Sequence, residues 1–453
     1  MSSEEAALES LASSLVERAM KAGADVAEAK ANAGWELTVR VRLGEPELVQ
    51  EAGHRGVALR VMRGGRVALT STSDLTPTGI TRAVTDAMEL VELSEADPFA
   101  GPAPKELLSS PPYPDLDLYD PEMEGVDADR ALALATAGER AALGFDPRIT
   151  LSEGGSFSRV TGHSALALSS GFTGVTRGSY ASLVVSPVVV DTGDKRRRGH
   201  YWTARRHMDE LEDAEAVGRE AARRTLRQLG PRKVSTCEAP VVFSPDAARS
   251  IVGTFAGCIL GGSVWRKSSY LVEREGTVVA SPLVTMTDDP LRLRAPGSRA
   301  FDGEGLASRV SVVVEDGVLR TFLLDCYSAR KLGRESTASA ARGGASVSAS
   351  TTNFILGAGS ITHDALVKKT ERGLYVTDMM GFGFNALTGD FSRGASGYWI
   401  ENGELAYPVS EVTISSNLDA MLKGIDLIAD DLDFKTSTAS PTFRVSSMTI
   451  AGT

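Results

Sequence analysis

The sequence predicts an α+β protein of two lobes: an N-terminal mixed helix/sheet region over residues 1–230 and a β-rich, barrel-like C-terminal domain over 231–453. Three observations lead there. At 453 residues the chain is too long for a single hydrophobic core. The first half mixes helical and strand periodicity, whereas beyond Gly230-Pro231 the composition shifts toward Gly, Ser, Thr and Val with few helical stretches. Between Pro98 and Pro121 seven prolines interrupt any regular ladder, so this stretch reads as an extended connector between sub-lobes of about 1–97 and 122–230.

Each element follows from local chemistry. Residues 5–22 place Leu8, Leu11, Leu15 and Ala19 on one face of a helix, and Gly23 stops it. From Trp35 to Arg42 every second residue is apolar, as in a half-buried strand. Val57–Val61 and Val67–Leu69 flank the hairpin pair Gly64-Gly65. Thr76-Pro77 opens a second helix carrying Ile80, Ala83, Val84, Ala87, Met88 and Val91 at helical spacing. A third helix is predicted over 127–143, strands over 148–208, notably Ala181–Val190, and a fourth helix near 210–228. In the second lobe Ala239–Phe243 reads as a strand and Ser244-Pro245 as a helix start. Val310–Val314 and Val318–Leu324 form a hairpin about Asp316-Gly317, and Tyr398–Ile400 and Leu405–Pro408 another about Asn402-Gly403. Leu418, Met421, Leu422, Ile425 and Ile428 mark a late helix, and Thr442–Ile450 a closing strand.

Composition excludes several function classes. A net charge of −11 opposes general nucleic-acid binding. The local exception, Lys195–Arg198 with Arg205 and Arg206 around Tyr201 and Trp202, reads as a solvated strand or loop face. No run approaches the 18 or so apolar residues of a membrane span. The acidic start Met1-Ser2-Ser3-Glu4-Glu5 lacks a signal-peptide core, so a cytoplasmic location is expected. Cys237, Cys258 and Cys326 are too dispersed for a disulfide framework or a thiolate zinc site.

The most informative stretch is Gly389-Asp390-Phe391-Ser392-Arg393-Gly394, read as a glycine-flanked loop feeding the hairpin Gly397–Glu404. With Ala280–Pro290, Phe301-Asp302-Gly303-Glu304-Gly305, Asp316–Leu319, Ser328–Gly333 and Met448–Gly452, it resembles the TldD/PmbA family of peptidase-related proteins in order and spacing. The resemblance is specific across 231–453 and extends to the first half only in pattern. It implies an α+β N-terminal region and a β-rich C-terminal domain that dimerises. It also implies two subunit types. The TldD type carries H-E-x-x-x-H on a helix, which sets two imidazoles one turn apart for a metal with a glutamate as base, and a cysteine near the C-terminus completes its site. The TldE type, also called PmbA, lacks these ligands. Together they form a metallopeptidase that degrades unfolded peptides and trims leader peptides.

Here His54, His163, His200, His207 and His363 are all followed by residues other than glutamate, and nothing after Cys326 is a cysteine. The stretch where the motif belongs, Ile251–Cys258, holds no imidazole or carboxylate, and the cysteine-loop position corresponds to Asp430–Pro441. The chain therefore resembles the TldE type. That implies no catalytic and no metal residue in this chain, with a zinc-type metal in a TldD-type partner. The expected assembly is a heterodimer with that partner, otherwise a homodimer, acting on unfolded or extended peptide. Gly389, Asp390, Phe391, Ser392 and Arg393 are the candidate peptide- or partner-contacting loop. Two rivals stand beside this reading: a stand-alone homodimeric peptide-binding scaffold, and a hydrolase using Ser328 and Lys331 in an S-x-x-K pattern. The bland alternative for that pattern is a strand-to-loop junction. Asp426, Asp430, Asp431 and Asp433 do not match a calcium loop and read as a solvated helix end.

Overall fold

The computed structural model describes residues 2–452. Its first element, α1 (Ser3–Lys21), starts at a reciprocal cap: the Ser2 hydroxyl accepts the Glu5 amide and the Glu5 carboxylate accepts the Ser2 amide. Four long strands follow the expected alternation: β1 (Val26–Arg42), β2 (Glu45–Arg63), β4 (Leu151–Leu168) and β5 (Thr173–Val190), with shorter β3 (Arg66–Thr72), β6 (Arg196–Arg198) and β7 (Tyr201–Arg205). They form one antiparallel sheet in the order β3-β2-β1-β4-β5-β6, with β7 also on β5. Three helices complete the region: α2 (Pro77–Leu93), α3 (Ala128–Leu143) and α4 (Ala214–Leu226).

The odd-numbered residues of β1 explain how four helices share one sheet. Ala27, Ala29, Ala31 and Ala33 lie under α1 and α2, where small side chains let the helices approach closely. Leu37, Val39 and Val41 lie under α3 and α4. Both helix pairs thus bury the same face, and β1 pairs with β4 from Glu28↔Leu168 to Val41↔Gly155, so the segments before and after the connector share one sheet. On the opposite face Glu28 is buried against Arg60 and Arg342, the latter from the second lobe.

The second lobe contains β8 (Cys237–Phe243), β9 (Met286–Asp288), β10 (Ser311–Glu315), β11 (Val318–Leu319), β12 (Ala340–Gly343), β13 (Ser346–Ala349), β14 (Phe354–Leu356), β15 (Arg372–Met380), β16 (Asp390–Glu401), β17 (Glu404–Asn417), β18 (Ile425–Ile428), β19 (Thr438–Ala439) and β20 (Phe443–Ala451). Its helices are α5 (Pro245–Cys258), α6 (Gly261–Trp265), α7 (Cys326–Leu332), α8 (His363–Lys368) and α9 (Leu418–Lys423). Strands run β17-β16-β15-β8-β20, and β20 returns to β17 from Thr413↔Ala451 to Ser415↔Thr449, which closes a five-stranded barrel. The barrel-like domain expected from the sequence is therefore present. A smaller sheet, β11-β10-β9-β14-β19, packs beside it, with α5 contributing fully buried Ile251, Val252 and Phe255 to the common core.

Three local expectations are corrected. The late helix ends at Lys423, and Ile425 and Ile428 belong to β18. A register shift between Ile425 and Leu427 turns both isoleucines inward three positions apart, which imitates helical spacing. Asp390–Arg393 do not form a loop: they open β16 and pair with Asn417–Ile414 of β17, the turn being confined to the residues before them. The acids of 430–433 are not a helix end, since Asp431 caps the backbone and hydroxyl of Thr442 at 2.8 and 2.7 Å.

Candidate functional site

A cleft of about 580 Å³ lies where the lobes meet. One wall is the first half of α5. Ser244 caps this helix at the amide of Ala247, Pro245 occupies its first turn, and the inward residues anchor it in the barrel core, leaving Asp246, Arg249 and Ser250 facing the cleft. A second wall is α4 with Arg223 and Arg224, and a third is the segment from Asp431 to Ser440. This segment contains β19, which packs on α5. The helix that carries 251–258, one stretch to which the resemblance assigns TldD ligands, thus packs on the 430–441 segment, the other, and meets it in the cleft through residues 244–250.

Their chemistry is cationic and aromatic. The Lys435 ammonium donates to the Tyr201 hydroxyl at 2.8 Å and the Trp202 carbonyl at 3.1 Å, lies 3.1 Å from a Glu212 oxygen, and sits 4.2 Å from the Tyr201 ring centroid. Burial opposes its charge, but Tyr201 and Glu212 outweigh burial and hold its pKa above the ordinary lysine value. Arg224 stacks on Tyr201 at 4.4 Å and Arg249 on Trp202 at 5.0 Å, while both guanidiniums reach Asp246, at 3.5 and 3.3 Å. The Tyr180 hydroxyl donates to the Lys435 carbonyl at 2.7 Å. These contacts rivet the second lobe to β5, β7 and α4 of the first.

The residues present do not fit a catalytic metal. Ile251, Val252, Phe255 and Ala256 are core residues. Cys258 is buried, and desolvation pushes its thiol up to about 11, so it is a protonated thiol at neutral pH. Among the described residues no three of His, Cys, Asp and Glu converge in a metal-holding arrangement. His200 and His363 both line the cleft, but His363 bonds the Tyr375 hydroxyl at 3.0 Å; His207 turns instead to the Asp117 carbonyl at 3.0 Å.

The structure separates the other sequence candidates. Ser328 and Lys331 lie on α7, not at a strand-to-loop junction. Ser328 is 1% exposed and donates to Asp325, the cap of that helix. Lys331 points elsewhere, 3.5 Å from Asp97 and 4.2 Å from the Phe99 ring centroid, so the two form no dyad. Of the five residues from Gly389 to Arg393, Arg393 reaches the cleft wall, donating to the Ser250 hydroxyl at 2.9 Å, and burial lowers its pKa. Phe391 is in the core, Ser392 bonds Ser415 at 3.0 Å, and the Asp390 carboxylate is held below the usual range by Thr388 and then Asn417. The basic patch is only partly solvated: Arg197 pairs with Asp191 at 2.8 Å, and Arg206 donates to the carbonyls of Ala295, Leu118, Ser179 and Pro296. Lys435, Arg249 and Arg224 escape sequence reading because their aromatic partners lie far away along the chain; Tyr201 and Trp202 among the arginines are the one visible signal.

Comparison with known proteins finds relatives along almost the whole chain. Models of the PmbA/TldA metallopeptidase domain 1, central domain and C-terminal domain match residues 27–91, 121–229 and 236–452. The metalloprotease PmbA of Escherichia coli O157:H7 is 38% identical over 433 residues, covering 95% of this chain and 92% of its own. The chain belongs to the PmbA/TldD family. Within that family it is of the PmbA, or TldE, type: a PmbA homologue from Haemophilus influenzae is 37% identical over 100% of this chain and 98% of its own. Among solved structures, a Bacteroides thetaiotaomicron protein superposes with a TM-score of 0.92 at 26% identity, covering 98% of this chain and 99% of that one. TldE from Thermococcus kodakarensis shares the fold with a TM-score of 0.86 at 21% identity over 97% of this chain and 99% of its own. Among the described residues no helix of this PmbA-type chain is long and apolar enough to cross a membrane.

Proposed function

We propose that this chain is the non-catalytic, TldE/PmbA-type subunit of a cytoplasmic heteromeric metallopeptidase. It pairs with a TldD-type subunit that supplies the zinc-type metal, and it helps to hold unfolded or extended peptides for cleavage or leader trimming. The observation that carries this reading is the cleft itself. The helix bearing 251–258 packs on the 430–441 segment, and the cleft between them is lined by Arg249 and Lys435, with no cluster of metal-ligating side chains among the described residues. Two fixed positive charges repel a divalent ion.

Co-expression with the cognate TldD-type protein tests the proposal. The expected result is co-purification of the two chains and chelator-sensitive peptide cleavage by the pair, with none by this chain alone. Chelator-sensitive cleavage by this chain alone would overturn it. Failure to co-purify, with the chain sedimenting as a homodimer that binds peptide, would favour the stand-alone scaffold instead.

A further inference from the structure

β2 is a long strand with a half-vacant edge. It pairs with β1 along its length, but β3 accompanies it only from Val57↔Thr72 to Arg63↔Arg66. From Glu45 to Arg55 every residue is exposed, and β1 and β3 are its only neighbours in the sheet among the described residues. The parity of the free edge follows from the hairpin. Gly64-Gly65 is a two-residue turn with φ of 55° and 75°, so Arg63 and Arg66 form its closing hydrogen-bonded pair. Alternation then directs the odd-numbered residues of β2 toward β3 and the even-numbered ones toward β1. The Met62 carbonyl agrees, accepting the Asp25 amide at 2.9 Å on the β1 side. No register shift intervenes between Leu48 and Met62. Beyond the end of β3, the amides and carbonyls of Val49, Glu51, Gly53 and Arg55 therefore point away from the sheet.

Exposed edges of this length are normally blunted by proline, lysine or a bulge. Here Pro46 and the register shift opposite Arg40 and Val41 defend only the first few positions. From Val49 to Arg55 there is no proline, lysine or bulge, and the two charged side chains, Glu51 and Arg55, are drawn to Arg159 and Glu4. The row does not run out into solvent at its inner end. Gly56, Val57 and Thr72 border a cleft of about 530 Å³ that also touches Asn32 and Gly344, and those two residues in turn line an interlobe cavity of about 700 Å³ with His54 and Lys30.

We infer that the vacated edge of β2 is a binding slot for an extended polypeptide, which lies in line with β3 and passes its end into the interlobe cavity. The ligand class follows from the valences. A row of alternating N–H and C=O groups, spaced by about 6.8 Å along every second residue, is satisfied by another extended backbone and by little else. Recognition is then carried by main-chain hydrogen bonds and is indifferent to sequence. The cavity at the inner end favours a peptide fed along the edge over a docked strand of a second copy, which needs no cavity there. The peptide as ligand rests on the proposed function; the slot itself is a property of this chain.

The test uses the full chain alone and a fluorescein-labelled, proline-free unstructured peptide of about 12 residues, long enough to span the edge. Anisotropy is expected to show binding that survives scrambling of the peptide sequence and is lost when its central amides are N-methylated. Val49→Pro removes an amide that faces away from β1, so the sheet is retained while the slot is blocked; it should weaken binding at least about ten-fold, and Val49→Ala should not. Thermal unfolding of both variants checks that they fold. Equal binding by Val49→Pro, or by the N-methylated peptide, overturns the slot. So does a dimeric chain that Val49→Pro converts to monomer with peptide binding unchanged, which would assign the edge to a second copy. Co-purification of Val49→Pro with the TldD-type subunit is scored separately: loss of peptide binding with pairing intact isolates the slot, whereas failure of the native chain to pair counts against the proposed function alone.

Discussion

Replacing Glu304 with glutamine should make the second lobe more stable at alkaline pH. Glu304 is 4% exposed and stands in the Phe301–Gly305 segment. Its carboxylate accepts the Cys326 amide at 2.8 Å. Burial, and then the Asp302 carboxylate, raise its pKa from an ordinary 4.5 to about 7, against the lowering effect of the Cys326 contacts. Because the folded pKa lies above the unfolded one, the folded state holds a proton that the unfolded state has released between pH 4.5 and 7. Stability therefore falls as pH rises through that window and stays reduced above it. A carboxyl moved from 4.5 to about 7 costs about 3 kcal/mol once ionised. Glutamine keeps the acceptor for Cys326 and carries no charge. Urea unfolding followed by the emission of the four tryptophans, from pH 5.5 to 8.5, should show a declining midpoint for the native chain and a flatter profile for Glu304→Gln. The two should converge near pH 5 and differ by up to about 3 kcal/mol at pH 8. An unchanged pH slope in Glu304→Gln, or a variant less stable than the native chain at pH 8, would refute the reasoning.

Three further outcomes are expected. Lys435→Met removes the bonds to Tyr201, Trp202 and Glu212 that tie the lobes; it should cost about 2–3 kcal/mol, read as faster amide hydrogen exchange in β7, and native-like exchange would show that the contacts carry no load. Arg342→Ala leaves Glu28 buried with Arg60 alone and should destabilise the protein by about 3 kcal/mol; burial opposes Glu28 ionisation but Arg342 and then Arg60 hold its pKa below 4.5, so that contribution is present above pH 4.5 and lost as pH falls, and acid unfolding of the variant should begin at higher pH. Ser328 is buried against Asp325, so neither the native chain nor Ser328→Ala should be labelled by a serine-reactive probe, and labelling that Ser328→Ala abolishes would reinstate the hydrolase reading.

Turns and caps were the most legible features because their chemistry is local. Gly64-Gly65, Asp316-Gly317 and Asn402-Gly403 all adopt the positive φ that hairpin turns demand, and Thr76 and Ser244 cap the helices they precede. Apolar spacing was less secure. Ile425 and Ile428 imitated a helix because an irregular strand can bury residues three apart. Glycines flanking Asp390–Arg393 suggested a loop, yet that segment is paired throughout, since only Gly389 sits at positive φ and Gly394 lies within the ladder. The site was half legible: a missing motif can be counted in a sequence, but not which distant residues come together to line the cleft.

By itself the sequence determined the family, the hairpin turns and helix caps, and the lack of a metal-ligand pattern, because these depend on residue identity over short spacings. Only the tertiary structure decided that β20 returns to β17 to close the barrel, that α5 meets the 430–441 segment, and that β3 stops short and leaves half of β2 open. Each of these is a meeting of distant segments or the end of one, set by which buried faces and backbone valences find partners in space. A single chain read in order carries no record of that.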